Sequence, residues 1–410
     1  MPGLCVLGVL GVVMPAPAAA QAGSPAGPVP VERLVERREA LLDRIGSGVA
    51  VVRSGKPRSL ERDFPQDSDY REDNDFFYLT GLEAPGGSLV LIGRQNGPDS
   101  TILYLPERES ATEQWTGSTL GPGAEASRLS GVAEVRDASR AGTEIDRVGS
   151  GRERLPVRDA AEEVAAARQI KDPEEIRRLR EAVAITGEGL RAAMRAARPG
   201  MYEYELEALL EHEFRRRGAE RVGFPSIVGS GPNATILHYD ENRRETRPGE
   251  LIVMDVGAEY GYYTADITRT IPVSGRFDSR QRRLYQLVLG AQQAAIDAVR
   301  PGTDFATLNR IAREYMRQHS GNLCGGTGCD RYFVHGLSHW LGMNVHDVGS
   351  FARRLEPGMV FTLEPGIYLP EEGMGIRIED DILVTGTGGE VLSSGIPRTV
   401  EDVEAAMACR

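Results

Sequence analysis

The sequence predicts an α+β protein in which an α/β domain precedes a larger domain of helices and antiparallel strand hairpins. Short apolar runs alternate with helical patterns in the first part of the chain, up to residue 168. Beyond that point, amphipathic helices are combined with strand-like runs that can pair as hairpins. A chain of 410 residues is also long enough for two domains.

The chain begins with a segment typical of a secretory signal peptide. Residues 4–14 are apolar, and residues 18–20 provide an A-x-A cleavage pattern, although no Lys or Arg precedes the apolar run. The run is too short to span a bilayer, which requires about 20 residues. We therefore predict a signal peptide at 1–20, a linker at 21–30 and export to the periplasm or the exterior, with a cytoplasmic protein as the alternative.

The first predicted domain covers residues 31–168. Its opening segment, residues 31–45, carries Leu34, Leu41 and Ile45 among charged residues, which predicts a helix. The domain as a whole has no dense cluster of reactive side chains, so we expect a cover or assembly domain. Turn-rich segments separate four strand-like runs, at residues 49–52, 76–79, 88–92 and 101–105.

A helix start at Asp172 marks the second predicted domain, which spans residues 169–400 and leaves a tail at 401–410. Asp172 can cap the helix, and Pro173 suits its first turn. Apolar residues then recur at helical spacing from Ile176 onward. Further helices are predicted at residues 202–217, 279–299 and 304–318.

Charge and composition narrow the function classes. Hydrophobic residues make up 40% of the chain and charged residues 26%, which is typical of a soluble globular protein. The formal net charge of -12 argues against nucleic-acid binding, which depends on neutralising phosphates. Beyond the leader, no segment is apolar and long enough to predict a membrane helix.

Cysteine is scarce, with four residues in the chain. Cys5 lies in the predicted signal peptide and Cys409 in the predicted tail. Cys324 and Cys329 flank a glycine-rich loop, which would close as a disulfide in an exported protein or would keep two free thiols. A zinc site here is disfavoured because no second pair of Cys or His completes it at ligand spacing.

Two predicted hairpins in the second domain each bring two acidic residues together. A turn at residues 260–261 would place Asp255 directly opposite Asp266, with their Cβ atoms about 5 Å apart. The turn-rich segment of a later hairpin would likewise place Glu364 opposite Glu379. The sequence thus predicts two pairs of carboxylates, each on one hairpin face.

Such pairs indicate a metal site. Directly opposed carboxylates are destabilising in a plain sheet, and in an apolar setting they require cations or protons. The alternative is that each acid is an exposed strand residue paired with an arginine. That alternative is favoured for any single acid, but not for two pairs that each share a face.

A histidine-rich segment supplies further candidate ligands. His335, His339 and His346 lie within twelve positions, among glycines that allow a close approach of the backbone. A lone histidine is more often a structural core residue, whereas three together indicate a ligand with acid–base or substrate-polarising neighbours. For His238 alone, the structural and the functional interpretation are equally supported.

The type of ligand suggests the metal and the chemistry. Four carboxylates with one imidazole and no thiolate form an oxygen-rich site, which suits Mn²⁺ better than structural zinc. Two ions that share bridging carboxylates would lie about 3.5–4 Å apart and could hold a hydroxide for attack on a carbonyl. We therefore predict a two-metal hydrolase, with two divalent ions, most favourably Mn²⁺.

With these residues the chain resembles the Xaa-Pro aminopeptidases, in the aminopeptidase P and prolidase branch of the "pita-bread" metallopeptidases. The resemblance implies a pita-bread catalytic domain, which is a curved antiparallel sheet backed by helices and formed from two similar halves. It also implies a creatinase-like α/β domain in front. The segments that carry it are residues 70–81, 236–239, 335–349 and 375–380.

The resemblance also implies which residues bind metal. Asp255 would bind one ion, and Asp266 and Glu379 would bridge both. His339 and Glu364 would bind the other ion. Glu364 would in addition shuttle the proton during catalysis.

Further residues match positions of the family around the metal. His238, His335 and His346 would bind substrate and stabilise the tetrahedral intermediate. Arg377 would orient the carboxylates from outside the ligand shell, a role that outer hydrogen bonds commonly have at metal sites. Tyr368 matches a tyrosine of the same network.

The implied activity is hydrolysis of the N-terminal Xaa-Pro bond of peptides with proline at the second position. A dipeptidase acting on Xaa-Pro is the nearest alternative, although residues 338–340 resemble the aminopeptidase more closely. A non-catalytic peptide- or protein-binding module of the same fold is disfavoured because the ligand set is complete. Neither nucleic acid nor a membrane span is expected, and the sequence leaves a homo-oligomer open.

Overall fold

The chain consists of two structural units. A computed structural model describes residues 24–56, 70–150, 154–326 and 328–408. The predicted signal peptide, Cys5 and Cys409 lie outside these residues. The first unit contains Pro30–Arg38 and Gly46–Arg158, and the second contains Ser24–Val29, Glu39–Ile45 and Asp159–Arg410.

The first unit is built on a five-stranded mixed sheet in the order β4-β3-β2-β1-β5. The central pairs β1–β2 and β2–β3 are antiparallel, and both edge strands pair in parallel. The elements in chain order are α1 (Val31–Ile45, shared with the second unit), β1 (Gly48–Arg53), α2 (Asn74–Thr80), β2 (Ser88–Gly93), β3 (Ser100–Leu105), α3 (Ser110–Thr116), α4 (Ala124–Ser130), β4 (Glu134–Asp137), α5 (Ala141–Ser150) and β5 (Val157–Arg158).

One of the strand-like runs of this unit is in fact a helix. Residues 76–79, predicted as a strand, belong to helix α2. The side chain of Asp73 accepts hydrogen bonds from the backbone N–H groups of Asp75 and Phe76, and Gly81 ends the helix in the left-handed conformation at φ 66°. These two caps determine the conformation of a short apolar run whose periodicity is ambiguous.

The second unit combines antiparallel strands with long helices. Its strands form the sheets β10-β9-β6, β11-β8-β7, β12-β15-β16 and β13-β14. The elements are α6 (Ala161–Arg168), α7 (Pro173–Ala196), α8 (Glu203–Arg216), β6 (Arg221–Val222), β7 (Ile227–Ser230), β8 (Leu251–Val256), β9 (Ala258–Tyr260), β10 (Tyr263–Thr264), β11 (Ile267–Pro272), α9 (Ser279–Ala298), α10 (Phe305–His319), β12 (Val360–Leu363), β13 (Gly366–Leu369), β14 (Met374–Arg377), β15 (Asp380–Val384), β16 (Gly389–Val391) and α11 (Val400–Ala408).

The long helices begin where the sequence supplies caps. At the start of α7, the side chain of Asp172 accepts from the backbone N–H groups of Glu174 and Glu175. The side chain of Glu175 in turn accepts from the backbone N–H of Asp172. The same reciprocal cap begins α9 at Asp278 and Gln281. These caps fix the starts of the helices that cover the sheets of the second unit.

Two further features of the second unit differ from, or complete, the sequence predictions. Residues 401–408, expected as a tail, continue helix α11, whose Val403 and Met407 are buried. Cys324 and Cys329, left open between thiols and a disulfide, are bonded to each other and buried. Among the described residues, no helix is long and apolar enough to cross a bilayer.

Candidate metal centre

The first pair of acidic residues lies on the hairpin of β8 and β11, but in a different register from the predicted one. Asp255 pairs with Thr268 and not with Asp266. The chain turns at Gly261 and Tyr262, one position later than predicted, and both residues have positive φ, 57° and 74°. The register therefore shifts by two residues, which leaves both carboxylates on one face, diagonal to each other.

The second pair lies in a long hairpin whose ladder is interrupted. Leu363 pairs with Asp380 on one side of the interruption, and Gly366 pairs with Arg377 on the other. This register is the predicted one. Glu364 and Glu379 occupy matching positions in the gap between the two ladders.

Apart from one long bond across the gap, from the N–H of Ile378 to the carbonyl of Pro365 at 3.4 Å, the two glutamates donate their backbone N–H groups to other segments. The N–H of Glu364 donates to the carbonyl of Leu337 at 3.0 Å, and the N–H of Glu379 donates to that of Thr268 at 3.1 Å. A buried side chain of α9, Gln292, donates through Nε2 to carbonyls on both strands. Its acceptors are the oxygens of Leu363 at 2.9 Å and Ile378 at 3.2 Å, with Asp380 Oδ2 at 3.0 Å.

His339 projects into the space between these two hairpins. Its carbonyl accepts from the backbone of Thr362 at 3.0 Å, which holds the histidine-rich segment against β12. The Nε2 atom of His339 lies 3.2 Å from Asp266 Oδ2, 3.7 Å from Glu364 Oε1 and 4.0 Å from Glu379 Oε1. One imidazole therefore faces three carboxylates.

This arrangement fits a metal ion. One ligand atom each of Asp266, His339 and Glu379 lies within 4.8 Å of the others. Among the described residues, one oxygen each of Asp255, Asp266, Glu379 and Asp381 is buried without a hydrogen-bond donor. Buried carboxylate oxygens are costly unless they are paired or bind a cation. The donor set, oxygen-rich with one imidazole, is suited to divalent ions.

The electrostatics of the site agree with this assignment. Burial, followed by the negative charge of neighbouring carboxylates, raises the pKa of Asp266 and Glu379 well above the usual range. Burial also raises the pKa of Glu364 to about 7. Carboxyl groups in such surroundings retain protons unless a cation replaces them.

Of the three outer histidines (His238, His335 and His346), one packs against His339 and a second lies beyond it. The ring of His346 packs edge-on against that of His339, with 4.4 Å between centroids, and lies 6.3 Å from the ring of His238. Burial lowers the pKa of His346. These imidazoles border the ligand group on the side of the histidine-rich segment.

The third outer histidine, His335, approaches Glu364. Its Nδ1 lies 3.7 Å from Glu364 Oε2, and its Nε2 forms a 2.8 Å hydrogen bond with the hydroxyl of Tyr368. Burial, followed by the charge of Arg377, lowers the pKa of His335 to about 4. His335 is therefore neutral at neutral pH, and it can donate a hydrogen bond from one ring nitrogen and accept one at the other.

Arg377 links the long hairpin, to which it belongs, with the hairpin of β8 and β11. Its guanidinium donates to Asp255 Oδ2 at 2.6 Å, to the hydroxyl of Tyr368 at 3.0 Å and to Thr268 Oγ1 at 3.2 Å. Thr268 in turn donates to Glu379 Oε2 at 2.6 Å. The site residues that the sequence predicted thus lie in one network of hydrogen bonds and close contacts, except His238, whose ring is 6.3 Å from that of His346.

The sequence interpretation missed two members of this network. Thr268 holds Glu379 and follows Asp266 by two positions, so strand alternation could have indicated that it shares the same face. Asp381 is fully buried, and its Oδ2 accepts from the backbone N–H of Asp266 at 3.2 Å. Burial raises its pKa well above the usual range. Nothing in the sequence separates Asp381 from an exposed acid.

A second buried ionic cluster lies beside the histidine-rich segment. Asp347, which follows His346, forms ion pairs with Arg168 and with Lys171, the latter at 3.4 Å, and all three side chains are nearly inaccessible to solvent. The backbone N–H of Asp347 donates to the carbonyl of Trp340 at 3.0 Å. This cluster anchors the histidine-rich segment at Asp347, the residue next to His346.

Comparisons with known proteins agree with this geometry. A model of metallopeptidase family M24 matches residues 177–386, and a model of the aminopeptidase P N-terminal domain matches residues 34–156. The Xaa-Pro aminopeptidase of Escherichia coli is 36% identical, over 90% of this chain and 96% of its own. That of Haemophilus influenzae is 33% identical, over 92% and 98% respectively.

Solved structures of E. coli aminopeptidase P are also similar. The structure with the inhibitor Pro-Leu is 34% identical and has a TM-score of 0.86, covering 93% of this chain and 99% of its own. A zinc-substituted structure in complex with product has a TM-score of 0.85 at the same identity and coverage. The predicted fold, a pita-bread catalytic domain after a creatinase-like N-terminal domain, is confirmed. The chain therefore belongs to metallopeptidase family M24, within its aminopeptidase P branch.

Proposed function

We propose that this chain is a metal-dependent aminopeptidase that releases the N-terminal residue from peptides with proline at the second position. The observation that carries the proposal is the convergence of an imidazole and buried, unpartnered carboxylate oxygens on one point, in a chain of this family. The relatives named above are Xaa-Pro aminopeptidases. Pro-Leu, the inhibitor of one of them, corresponds to the fragment left after the first residue of Xaa-Pro-Leu is removed.

We propose further that the site holds two divalent ions, with Mn²⁺ as the favoured metal. Asp255, Asp266, His339, Glu364 and Glu379 would hold them. When bound, such ions supply an activated water and polarise the substrate carbonyl. The preference for Mn²⁺ follows from the oxygen-rich donor set.

The remaining site residues would bind the substrate and move protons. Glu364 lies between His339 and His335, each 3.7 Å away, where a carboxylate can pass a proton from the attacking water to the leaving amine. His238, His335 and His346 surround the ligand group, where an N–H can donate to the substrate carbonyl as negative charge develops on its oxygen. Arg377 donates to one oxygen of Asp255, and the other oxygen, which has no donor, would be available to a metal ion.

Substrate choice is the first test. Purified protein should cleave an Xaa-Pro-Xaa tripeptide faster than the Xaa-Pro dipeptide, and should leave an Xaa-Ala-Xaa tripeptide largely intact. The matched control is Asp266→Asn, which keeps the shape of the side chain and removes the charge of a candidate metal ligand; it should abolish turnover without a change in circular dichroism. Faster cleavage of the dipeptide would indicate a prolidase, and no cleavage of any proline peptide would refute the peptidase assignment.

Removal of metal is the second test. Protein treated with a chelator should lose peptidase activity and recover it on addition of Mn²⁺, more fully than with Zn²⁺ or Mg²⁺. Metal content, measured on the same samples, should rise to two ions per chain as activity returns. Full activity in verified metal-free protein would contradict the mechanism, whereas better recovery with another ion would contradict only the choice of Mn²⁺.

We also propose that the protein is exported. The apolar leader supports this, as does the disulfide between Cys324 and Cys329, because disulfides persist in oxidising compartments. Expression of the full chain followed by fractionation should place a shortened protein outside the cytoplasm. Recovery of the full-length chain in the cytoplasm would refute export.

A further inference from the structure

A buried carboxylate outside the metal centre organises the segment that carries His238. Glu203 is the first residue of α8, and its side chain is fully buried. We propose that Glu203 is a positioning residue, which acts on the reaction by holding His238 in place. The inference rests on the proposed function, because it assigns His238 a part in substrate binding.

Glu203 holds the part of the segment that precedes His238. Its Oε1 accepts from the backbone N–H of Ser230 and from the hydroxyl of the same residue, both at 2.7 Å. Asn233 donates to the same oxygen through Nδ2 at 3.2 Å, and to Oε2 at 3.3 Å. Asn233 belongs to the 3₁₀ turn at residues 231–235, which precedes His238. The upstream part is therefore attached mainly to Oε1.

The other oxygen holds the part that follows His238. Glu203 Oε2 accepts from the hydroxyl of Tyr239 and from the backbone N–H of Arg244, both at 2.8 Å. Tyr239 is buried and directly follows His238. One carboxylate therefore connects both ends of a loop that runs from Ser230 to Arg244.

His238 needs such support because its own position is exposed. It lies outside the helices and strands, and its side chain is exposed. Its neighbour Leu237 is tied to the site by a weak bond, in which Arg377 donates to the Leu237 carbonyl at 3.4 Å. An exposed side chain on an irregular segment is ordered mainly by what anchors the adjacent backbone. The bonds of Glu203 anchor that backbone on both sides.

The chemistry of these contacts requires a carboxylate. All five groups are donors, and an ionised carboxylate accepts at both oxygens, whereas an amide accepts at one and donates at the other. Glu203→Gln would therefore leave the backbone N–H of either Ser230 or Arg244 without its acceptor. The position at the start of α8 also favours a negative charge, through the helix dipole.

A double-mutant cycle tests the inference. We would measure kcat and KM for an Xaa-Pro-Xaa tripeptide with the metal-loaded wild type, Glu203→Gln, His238→Ala and the double variant. Displacement of a substrate-binding group commonly costs a large factor in rate, and we expect kcat/KM to fall about tenfold in Glu203→Gln. In the His238→Ala background, the same substitution should change kcat/KM by less than about twofold, since the group it positions is gone.

Controls separate positioning from general destabilisation. Glu144→Gln removes a comparable carboxylate that accepts from Tyr104 in the first unit, and it should leave kcat/KM unchanged. Equal factors for Glu203→Gln in both backgrounds would overturn the inference. A wild type that cleaves no proline peptide would instead contradict the proposed function. Should Glu203→Gln fail to fold, Tyr239→Phe, which removes one donor, should show the same dependence on His238 with a smaller effect.

A spectroscopic measurement provides a readout independent of turnover. In protein labelled at histidine with ¹³C, the resonance of His238 is identified by its loss in His238→Ala among the six histidines of the chain. In Glu203→Gln this resonance should shift or broaden, while that of His319, at the end of α10, stays in place. An unchanged His238 resonance in a folded Glu203→Gln protein would refute the positioning role.

Discussion

Arg377 connects several parts of the metal centre, because its guanidinium donates to four different partners. It donates to Asp255, Tyr368, Thr268 and the carbonyl of Leu237 from a buried position on β14. Asp255 thereby offers one oxygen to the arginine and keeps the other free of donors. Outer hydrogen bonds of this kind orient ligands and tune the metal without touching it.

We therefore expect Arg377→Lys to impair the enzyme although it keeps the positive charge. A lysine cannot reproduce the forked geometry that reaches these acceptors at once. Activity with a tripeptide should fall about 10- to 100-fold, with weaker metal binding measured by titration. The matched control, Arg180→Lys, affects an exposed arginine paired with Glu390 and should be neutral. Normal activity in Arg377→Lys would show that its charge alone matters.

At the level of single residues, the candidate ligands are easier to recognise in the sequence than the residues that support them. Asp266 and His339 stand out because acids and histidines recur in a dense pattern. Glu203 and Asp381 do not, because a buried acid and an exposed acid look alike until the fold supplies the donors around them. The supports therefore become visible only with tertiary structure.

At the level of elements, helix α9 compensates for the interruption in the long hairpin. Without a ladder at Glu364 and Glu379, the carbonyls of Leu363 and Ile378 need another donor, and Gln292 supplies it from the neighbouring helix. The interruption lets the two glutamates turn toward the metal centre while the strands on either side stay in register.

Gln292→Met should therefore destabilise the protein. It keeps the length of the side chain but leaves buried acceptors without a donor, which costs about 2 kcal/mol. Urea unfolding of the metal-loaded protein should show a lower midpoint with an unchanged slope. Gln318→Met, on the exposed face of α10, serves as the control and should have little effect. A midpoint equal to wild type would show that Gln292 is dispensable.

Local sequence signals explain which elements were predicted correctly. The caps at Asp172 and Asp278 predict helices because they satisfy specific backbone groups. The register near Asp255 was predicted wrongly because the turn lies one residue later than predicted. This turn places Tyr262 at positive φ, a conformation that is rare for a residue with a large side chain. Turn geometry of this kind is decided by the packing around it.

At the scale of the whole molecule, metal binding and stability should be coupled through pH. The pKa of Asp266 and of Glu379 is raised well above normal, and that of Glu364 to about 7, so the metal-free folded state holds protons that the unfolded state has released. The contribution of these groups to stability therefore falls as pH rises from the unfolded pKa of about 4 toward 7. His335, with its pKa lowered to about 4, has the opposite sign.

A comparison of loaded and stripped protein isolates the carboxyl groups. We expect the difference in melting temperature between Mn²⁺-loaded and chelator-treated protein to widen between about pH 5.5 and pH 7.5, because fewer protons compete with the metal. Thermal unfolding monitored by circular dichroism at several pH values would measure it. A difference that is constant or narrows with pH would contradict the proton competition.

The interrupted hairpin also governs how an ion can reach its ligands. The backbones of Glu364 and Glu379 are tied to Leu337 and Thr268, on two separate stretches of chain. Spreading these glutamates apart would break hydrogen bonds to both stretches, which raises the cost of opening the site. We therefore expect the ligand positions to be set before a cation binds, so that its affinity depends mainly on the loss of its water and of the carboxyl protons.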